Sequence, residues 1–169
     1  QTRGRWMPRN KVHIEISISS GDWELKLDTD ESYIISIQTS SDATTVSVSA
    51  KTYYGARHAL ETLSQMIEYC KENNALYIVK QAMIKDEPAF RYRGIMLDTG
   101  HNYFSKDEIL RLLDAMSANK LNSFHWHITD TTSFPLITNR APKMPMYGAY
   151  SPQKIYTPMN VWEIVKYAN

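Results

Sequence analysis

The 169-residue sequence predicts an α+β fold, an antiparallel sheet with a helix, followed by the first part of a (β/α)8 TIM barrel. Three observations predict this division. Apolar and polar residues alternate up to residue 50, apolar residues then recur every three or four positions, and a strand–helix–strand order begins at residue 92. The composition, 43% hydrophobic and 22% charged, is typical of globular proteins.

Alternation in the first half predicts a sheet with one buried face. Val12, Ile14, Ile16 and Ile18 alternate with polar residues, and Val46 and Val48 do the same further on. Clusters of serine and aspartate separate the alternating segments, as turns do. The predicted strands are residues 12–19, 23–28, 32–39 and 45–50.

A change of period at Tyr53 predicts a helix. Apolar residues from Ala56 to Cys70 recur at spacings of three and four, which indicates a helix of roughly 16 residues that Asn73 and Asn74 end. Residues 75–84 then predict one or two short strands. A sheet with a helix on one face is an α+β layer, so we expect residues 1–88 to form this domain.

The second half follows a different order. Residues 92–98 predict a short strand that ends in Asp98, and residues 122–130 a second strand that ends in Asp130. Between them, Ser105 and Glu108 have the spacing of a capping box and begin a helix over 106–119. A proline-rich connection leads to a last helix over 161–168. Residues 89–169 therefore predict β-α-β-loop-α of a parallel barrel.

The predicted barrel is incomplete, because a barrel of this type takes about 250 residues. We expect a second chain to carry the rest of the barrel. The break after Asn169 would then arise from proteolytic cleavage of one precursor, or the chain would be a shortened one. The start at Gln1, without methionine, indicates a processed N-terminus. Cys70 is the one cysteine, so a disulfide within the chain is excluded, and we expect a buried thiol.

Charge and hydropathy exclude two classes of partner. The formal net charge is +1 with no basic block, which argues against nucleic acid. No apolar run is long enough for a membrane span. No pattern in the sequence points to a cofactor.

Candidate site residues lie where the two parallel strands end. Active sites of such barrels form at the carboxyl ends of the strands, which makes Asp98 and Asp130 candidates; either could instead cap a loop or pair with an arginine. His125 and His127 form an H-x-H pair that could hold a metal or serve as hydrogen-bonded barrel residues. No second ligand cluster supports the pair, so we expect no metal.

Several of these segments resemble glycoside hydrolase family 20, the β-N-acetylhexosaminidases, and most of all its animal enzymes. The similar segments are FRYRGIMLD at 90–98, FHWHITD at 124–130 and SFPL at 133–136. Three further segments resemble the family and occur in the family's order along the chain: the helix at 53–67, the DEPAF segment at 86–90 and the last helix. The resemblance implies that residues 1–88 are the non-catalytic accessory domain of such an enzyme.

The resemblance also implies a reaction. Family members remove terminal β-linked N-acetylglucosamine or N-acetylgalactosamine with retention, using the substrate's acetamido oxygen as nucleophile. The acid glutamate and the aspartate that orients the acetamide would then lie on the partner chain. Asp130 matches the catalytic-site aspartate that organises a histidine next to that acid. The resemblance also implies secretion or a lysosomal location, and it leaves open whether the assembly forms a higher dimer.

One position departs from the family pattern. The first motif of the family runs D-x-x-R, and its arginine binds sugar hydroxyls, whereas this sequence has His101 there. Histidine offers fewer donors than arginine. His101 is thus the predicted substrate-binding residue, and two alternatives stay open: an impaired or inactive homologue that serves in binding, storage or structure, and a metal-dependent barrel hydrolase that uses His125 and His127.

Overall fold

The computed structural model describes residues 11–41, 43–72 and 74–169, and it divides the chain into two compact units, Gln1–Arg91 and Tyr92–Asn169. The sequence places the domain boundary after residue 88, three residues before the division in the structure. Asn73, which was expected to end the first helix, lies outside the described residues. In the part of the chain that is described, no helix has the length and apolar character needed to cross a membrane.

The first unit contains a sheet, a helix and a small hairpin. Its elements in chain order are β1 (Lys11–Ile18), β2 (Tyr33–Thr39), β3 (Ala43–Ala50), α1 (Tyr53–Gln65), β4 (Glu68–Cys70), β5 (Ala75–Tyr77) and β6 (Gln81–Asp86). Four strands form one sheet in the order β1-β3-β2-β6, and β4 pairs with β5.

One pairing in this sheet differs from the expected antiparallel arrangement. β2 pairs antiparallel with β3 and with β6, but β1 pairs with β3 in parallel, from Lys11 opposite Ala43 to Ile18 opposite Ala50. A period of two reports which residues share a face and does not report strand direction. The sheet is therefore mixed, and β1 is an edge strand.

The core of the first unit lies between α1 and the two central strands. Alternate residues of β2 and β3 point to one face, where apolar residues of α1 cover them. These buried residues are Tyr33, Ile35, Ile37, Val46, Val48, Ala50, Ala56, Ala59 and Leu63. The aliphatic residues of β1 share this face through the pairs Ile14–Val46 and Ile16–Val48, yet they stay about half exposed. The predicted half-buried β1 is therefore exposed along both faces.

Two predicted elements of this unit are wrong. Residues 23–28 alternate like a strand but form none; Glu24 N and Lys26 N donate to the side chains of Asp22 and Thr29. The helix ends at Gln65, because the chain from Glu68 to Cys70 turns into the hairpin with β5. Cys70 is partly exposed on this hairpin rather than buried on a helix.

The second unit is a parallel β-α-β unit followed by a loop and two helices. Its elements are β7 (Gly94–Asp98), α2 (Lys106–Ala118), β8 (Ser123–His127), α3 (Met144–Gly148) and α4 (Pro158–Ala168). The predicted capping box is confirmed: Ser105 Oγ accepts from Glu108 N, and Glu108 accepts from Ser105 N. The buried core joins α2, α4 and the loop through Ile109, Leu113, Met116, Tyr156 and Ile164.

Candidate active site at the strand ends

The two parallel strands end side by side. β7 and β8 pair in register from Gly94 opposite Ser123 to Asp98 opposite His127. Beyond the last pair, the amides of Thr99 and Gly100 both donate to the carbonyl of His127, at 2.8 and 3.2 Å. The two strand ends are thus joined by backbone hydrogen bonds, and the side chains that follow them are brought together.

The loop after β7 turns back on Asp98. Asp98 Oδ1 accepts from the amides of Gly100 and His101, at 2.9 and 3.0 Å, and this turn brings the His101 ring to the carboxylate. His101 Nδ1 then donates to Asp98 Oδ2 at 2.6 Å. The backbone hydrogen bond from His101 lowers the pKa of Asp98, and the hydrogen bond to Asp98 raises the pKa of His101. The pair therefore favours a negative carboxylate beside a positive imidazolium.

Asp130 forms a second carboxylate–histidine pair. Its Oδ2 accepts from His127 Nε2 at 3.0 Å, and its Oδ1 accepts from the amide and hydroxyl of Thr131 at 2.6 and 2.9 Å. The hydrogen bond from His127, followed by those from Thr131, lowers the pKa of Asp130 to about 2. Asp130 is therefore ionised at neutral and mildly acidic pH.

The two pairs meet and form one group, which we call the strand-end cluster: Asp98, His101, His127 and Asp130. The two imidazole rings are nearly parallel, 12° apart in plane, with centroids 6.3 Å apart. His101 Nε2 lies 3.7 Å from Asp130 Oδ1. Two carboxylates and two imidazoles thus face one another, a set that can hold and move protons, bind a polar ligand or ligate a cation.

Aromatic residues hold the loops around the cluster. Trp126 Nε1 donates to the hydroxyl of buried Thr99 at 2.8 Å, and Tyr150 OH donates to the carbonyl of His101 at 2.9 Å. Tyr156 is fully buried, packs edge-on against Trp126, and donates its hydroxyl to the carbonyl of Phe104. Burial raises the pKa of Tyr156 to about 12, so its hydroxyl remains a donor.

Gly100 lies where the two loops meet, and there is little room for a side chain at this position. A Cβ added there would lie 3.0 Å from Asp130 N and from the carbonyl carbon of Thr129, and 3.2 Å from Asp130 Cβ. These separations are closer than nearly all real Cβ contacts. The absence of a side chain at Gly100 is what lets the loop after β7 approach the loop after β8.

The structure brings four of the five candidate residues together and leaves His125 apart. Asp98, His101 and Asp130 all belong to the cluster. The predicted His125–His127 pair is divided, since the described group that could hold a metal combines His127 with Asp98 and His101 and does not include His125. The sequence reasoning missed the pairing of His127 with Asp130, although their spacing of three residues at a strand end could have indicated it.

Comparison with known protein families matches both halves of the chain. Residues 90–169 match the family described as "Glycosyl hydrolase family 20, catalytic domain", and residues 4–66 match "beta-acetyl hexosaminidase like". The two matches together cover most of the sequence, in the order that the resemblance predicts.

Individual curated proteins that are similar to this chain belong to the same group of enzymes by name. The chain is 50% identical over 145 residues to a chitooligosaccharidolytic beta-N-acetylglucosaminidase of Bombyx mori, covering 85% of this chain and 24% of the relative. It is 36% identical to beta-hexosaminidase subunit B1 of Dictyostelium discoideum, covering 91% of this chain and 27% of the relative. The chain thus spans about a quarter of the length of these curated relatives.

A solved structure shows the same architecture. The chitobiase of Flavobacterium johnsoniae superposes with a TM-score of 0.72 at 31% identity, covering 96% of this chain and 23% of that chain. The expected fold, an accessory α+β domain followed by the first part of a TIM barrel, is confirmed. The chain belongs to glycosyl hydrolase family 20.

Proposed function

We propose that this chain supplies one part of the active site of an exo-acting, retaining β-N-acetylhexosaminidase. The observation that carries the proposal is the strand-end cluster, in which Asp130 and Asp98 hold two imidazoles at the carboxyl ends of β7 and β8. This is the edge where parallel barrels build their active sites. Membership of the family, and the printed name of the Bombyx mori relative, support N-acetylhexosamine-containing glycans as the substrate class.

Asp130 serves as a positioning residue in this proposal. Because its pKa is lowered to about 2, it stays negative and fixes the histidine ring that donates to it, which in this chain is His127. A fixed, ionised carboxylate sets the orientation and basicity of the group it contacts. Asp130 thereby organises the region in which the acid protonates the leaving oxygen.

His101 serves as the sugar-binding residue. Its Nδ1 is engaged by Asp98, which leaves Nε2 for a sugar hydroxyl, and its side chain is 54% exposed. The raised pKa of His101 favours the charged imidazolium, which is a stronger donor than a neutral ring. One such donor replaces the arginine fork that the family motif leads one to expect.

The rest of the active site belongs, in this proposal, to a partner polypeptide from the same precursor. The described part of the second unit has one parallel pair of strands, β7 and β8, where a barrel needs eight. The partner then supplies the remaining strands, the acid and the aspartate that orients the acetamide, so that the acetamido oxygen attacks the anomeric carbon. We extend the proposal to a secreted or lysosomal location, which the family resemblance implies.

The test uses the completed protein, by which we mean this chain together with the polypeptide that supplies the rest of the barrel. Hydrolysis of an aryl N-acetyl-β-glucosaminide should be detected, and proton NMR of the first sugar released should show the β anomer. Asp130→Asn should lower kcat/KM by roughly 10- to 100-fold, as loss of such supporting contacts does.

The control is Asp28→Asn, the same chemical change at an exposed aspartate in a loop of the first unit. It should leave turnover unchanged. The absence of turnover by the completed protein would refute the hydrolase proposal for this substrate class. Equal activities of Asp130→Asn and Asp28→Asn would refute the role of Asp130.

A further inference from the structure

We propose that the strand-end cluster is a binding site for a divalent first-row transition ion of the Zn²⁺ class, ligated by Asp98, His101 and His127, with Asp130 as a fourth ligand. The sequence leads us to expect no metal and offers the His125–His127 pair as the alternative. The structure points to a different set, because Asp98, His101 and His127 each offer a ligand atom within 4.8 Å of the others.

The separations suit a small ion after minor side-chain rotation. Zn²⁺ binds nitrogen and oxygen ligands at about 2.0–2.2 Å, so two ligand atoms of a tetrahedral site lie roughly 3.4 Å apart. The present 2.6 Å between His101 Nδ1 and Asp98 Oδ2 must widen, and any separation near the 4.8 Å limit of the group must shorten. Each change is on the order of 1 Å, which the half-exposed His101 ring can supply by rotation.

The carboxylates are already aimed at the site. Asp98 Oδ1 is held by the amides of Gly100 and His101, and Asp130 Oδ1 is held by Thr131. Asp98 Oδ2 contacts His101 Nδ1, and Asp130 Oδ2 contacts His127 Nε2, so each carboxylate also presents an oxygen to an imidazole of the cluster. Hydrogen bonds of this kind orient the carboxylates of metal sites, so the ion would bind carboxylates whose orientation is already held by the protein.

The chemistry of the ligand set also matches. Two ionised carboxylates balance the charge of a divalent ion, and imidazole nitrogen is a preferred ligand of zinc, copper, nickel and iron. A set of two histidines and two carboxylates therefore favours these ions over Mg²⁺ or Ca²⁺, which prefer oxygen ligands alone. The site differs from the H-x-H alternative in that its two histidines come from different strand ends.

A bound ion would compete with sugar. It would take up the His101 ring that the proposed function assigns to a sugar hydroxyl, so Zn²⁺ should act as a competitive inhibitor. This consequence rests on the proposed function, whereas metal binding itself does not. Binding and inhibition are therefore measured separately.

The experiment measures metal binding by the completed protein. Zn²⁺ affinity is obtained by competition with a chromophoric chelator, and Co²⁺ is used as a second probe because its visible absorption reports coordination. We expect one Zn²⁺ that competes with the chelator, and a tenfold or larger loss of affinity in His101→Gln and in His127→Gln.

His125→Gln is the matched control, because it removes an exposed histidine two residues earlier on the same strand and outside the cluster. It should keep the affinity of the unaltered protein. His101→Arg is a second variant at an exposed position, and near-ultraviolet circular dichroism of each variant verifies folding. Equal Zn²⁺ affinities and Co²⁺ spectra for the unaltered protein and the folded His101 and His127 variants would overturn the proposal.

The two proposals fail in distinguishable ways. If the completed protein shows no turnover but binds Co²⁺ through His101 and His127, the metal site stands and the hydrolase proposal falls. If turnover is present and neither variant changes metal affinity, the metal site falls and the hydrolase proposal stands.

Discussion

Replacing Gly100 with alanine tests whether the strand-end cluster depends on close backbone contact. The added methyl would lie 3.0 Å from Asp130 N and from the carbonyl carbon of Thr129. Both are backbone atoms, so neither can rotate away as the end of a flexible side chain would. The segment that carries Asp130 must therefore recede by a few tenths of an ångström.

The size of the effect follows from what that segment holds. Asp130 N donates to the carbonyl of Ser133 at 2.8 Å, and Asp130 Oδ2 accepts from His127 at 3.0 Å, so the displacement lengthens the second contact past a good hydrogen bond. Overpacking of this kind costs about 1–3 kcal/mol of unfolding free energy, or roughly 2–12 °C in Tm. A misplacement of about 1 Å can reduce activity about 100-fold, so we expect a loss of roughly tenfold in kcat/KM here.

The assay compares Gly100→Ala with Gly21→Ala in the completed protein. Gly21 has no atom within 4 Å of an added Cβ, so the same chemical change there meets open space. Hydrolysis of the aryl substrate and the thermal midpoint are measured for both variants. If Gly100→Ala matched Gly21→Ala in kcat/KM and in Tm, the argument from close contact would be refuted.

Three further predictions concern single side chains of the second unit. His101→Arg should raise kcat/KM on the aryl substrate roughly tenfold or more, because each added charged hydrogen bond contributes about 1.5–3 kcal/mol; unchanged kinetics would contradict the sugar-binding role. Glu108→Gln should lower Tm at neutral pH, since hydrogen bonds from Ser105 lower the pKa of Glu108 from its usual 4.5. That stabilisation is lost as pH falls through the lowered pKa, so the Tm values of the unaltered protein and of Glu108→Gln should converge well below about pH 4. A difference in Tm that does not change with pH would argue against a stabilising role of the ionised Glu108 carboxylate. Tyr156→Phe leaves the Phe104 carbonyl without its tyrosine donor and should lower the free energy of unfolding by about 1–3 kcal/mol in urea titrations; a change under about 0.5 kcal/mol would refute this account.

The sequence predicts the first unit well where its pattern reflects burial. Alternate residues of β2 and β3 are buried as the period of two requires. The same period at residues 23–28 does not reflect a strand: Trp23 packs its ring on Tyr53, with centroids 5.1 Å apart, and its carbonyl accepts from Tyr54 OH. A single sequence shows alternation and does not show whether a neighbouring strand is there to pair with it.

The end of α1 could not be read from spacing. Ile67 and Cys70 continue the helical period, yet the chain leaves the helix at Gln65 because the hairpin of β4 and β5 satisfies the backbone there. Helix propensity near a helix end is weak compared with tertiary contacts, so the boundary depends on pairing that lies several residues further on.

The position of the two carboxylates of the candidate site could be predicted from the general architecture of parallel sheets. Asp98 and Asp130 follow apolar strands, and the edge where parallel strands end is shared. That His101 would face His127 was not predictable, since it depends on the turn that Asp98 Oδ1 makes with two amides and on the lack of a side chain at Gly100. The spacing of His125 and His127 suggests a pair, whereas the residue that contacts His127 is Asp130, in the loop after β8.

The two backbone hydrogen bonds on the carbonyl of His127 have a thermodynamic consequence for ligand binding. They tie the start of the loop after β7 to the end of β8 before any ligand arrives, and Asp98 and Asp130 are each held by amides of their own loops. Ordering of a loop or side chain on binding normally costs conformational entropy. In this cluster much of that ordering is already complete in the folded chain, so a sugar or an ion should bind here with a small entropic penalty, and the amides of Thr99 and Gly100 should exchange slowly with solvent deuterium whether or not a ligand is present.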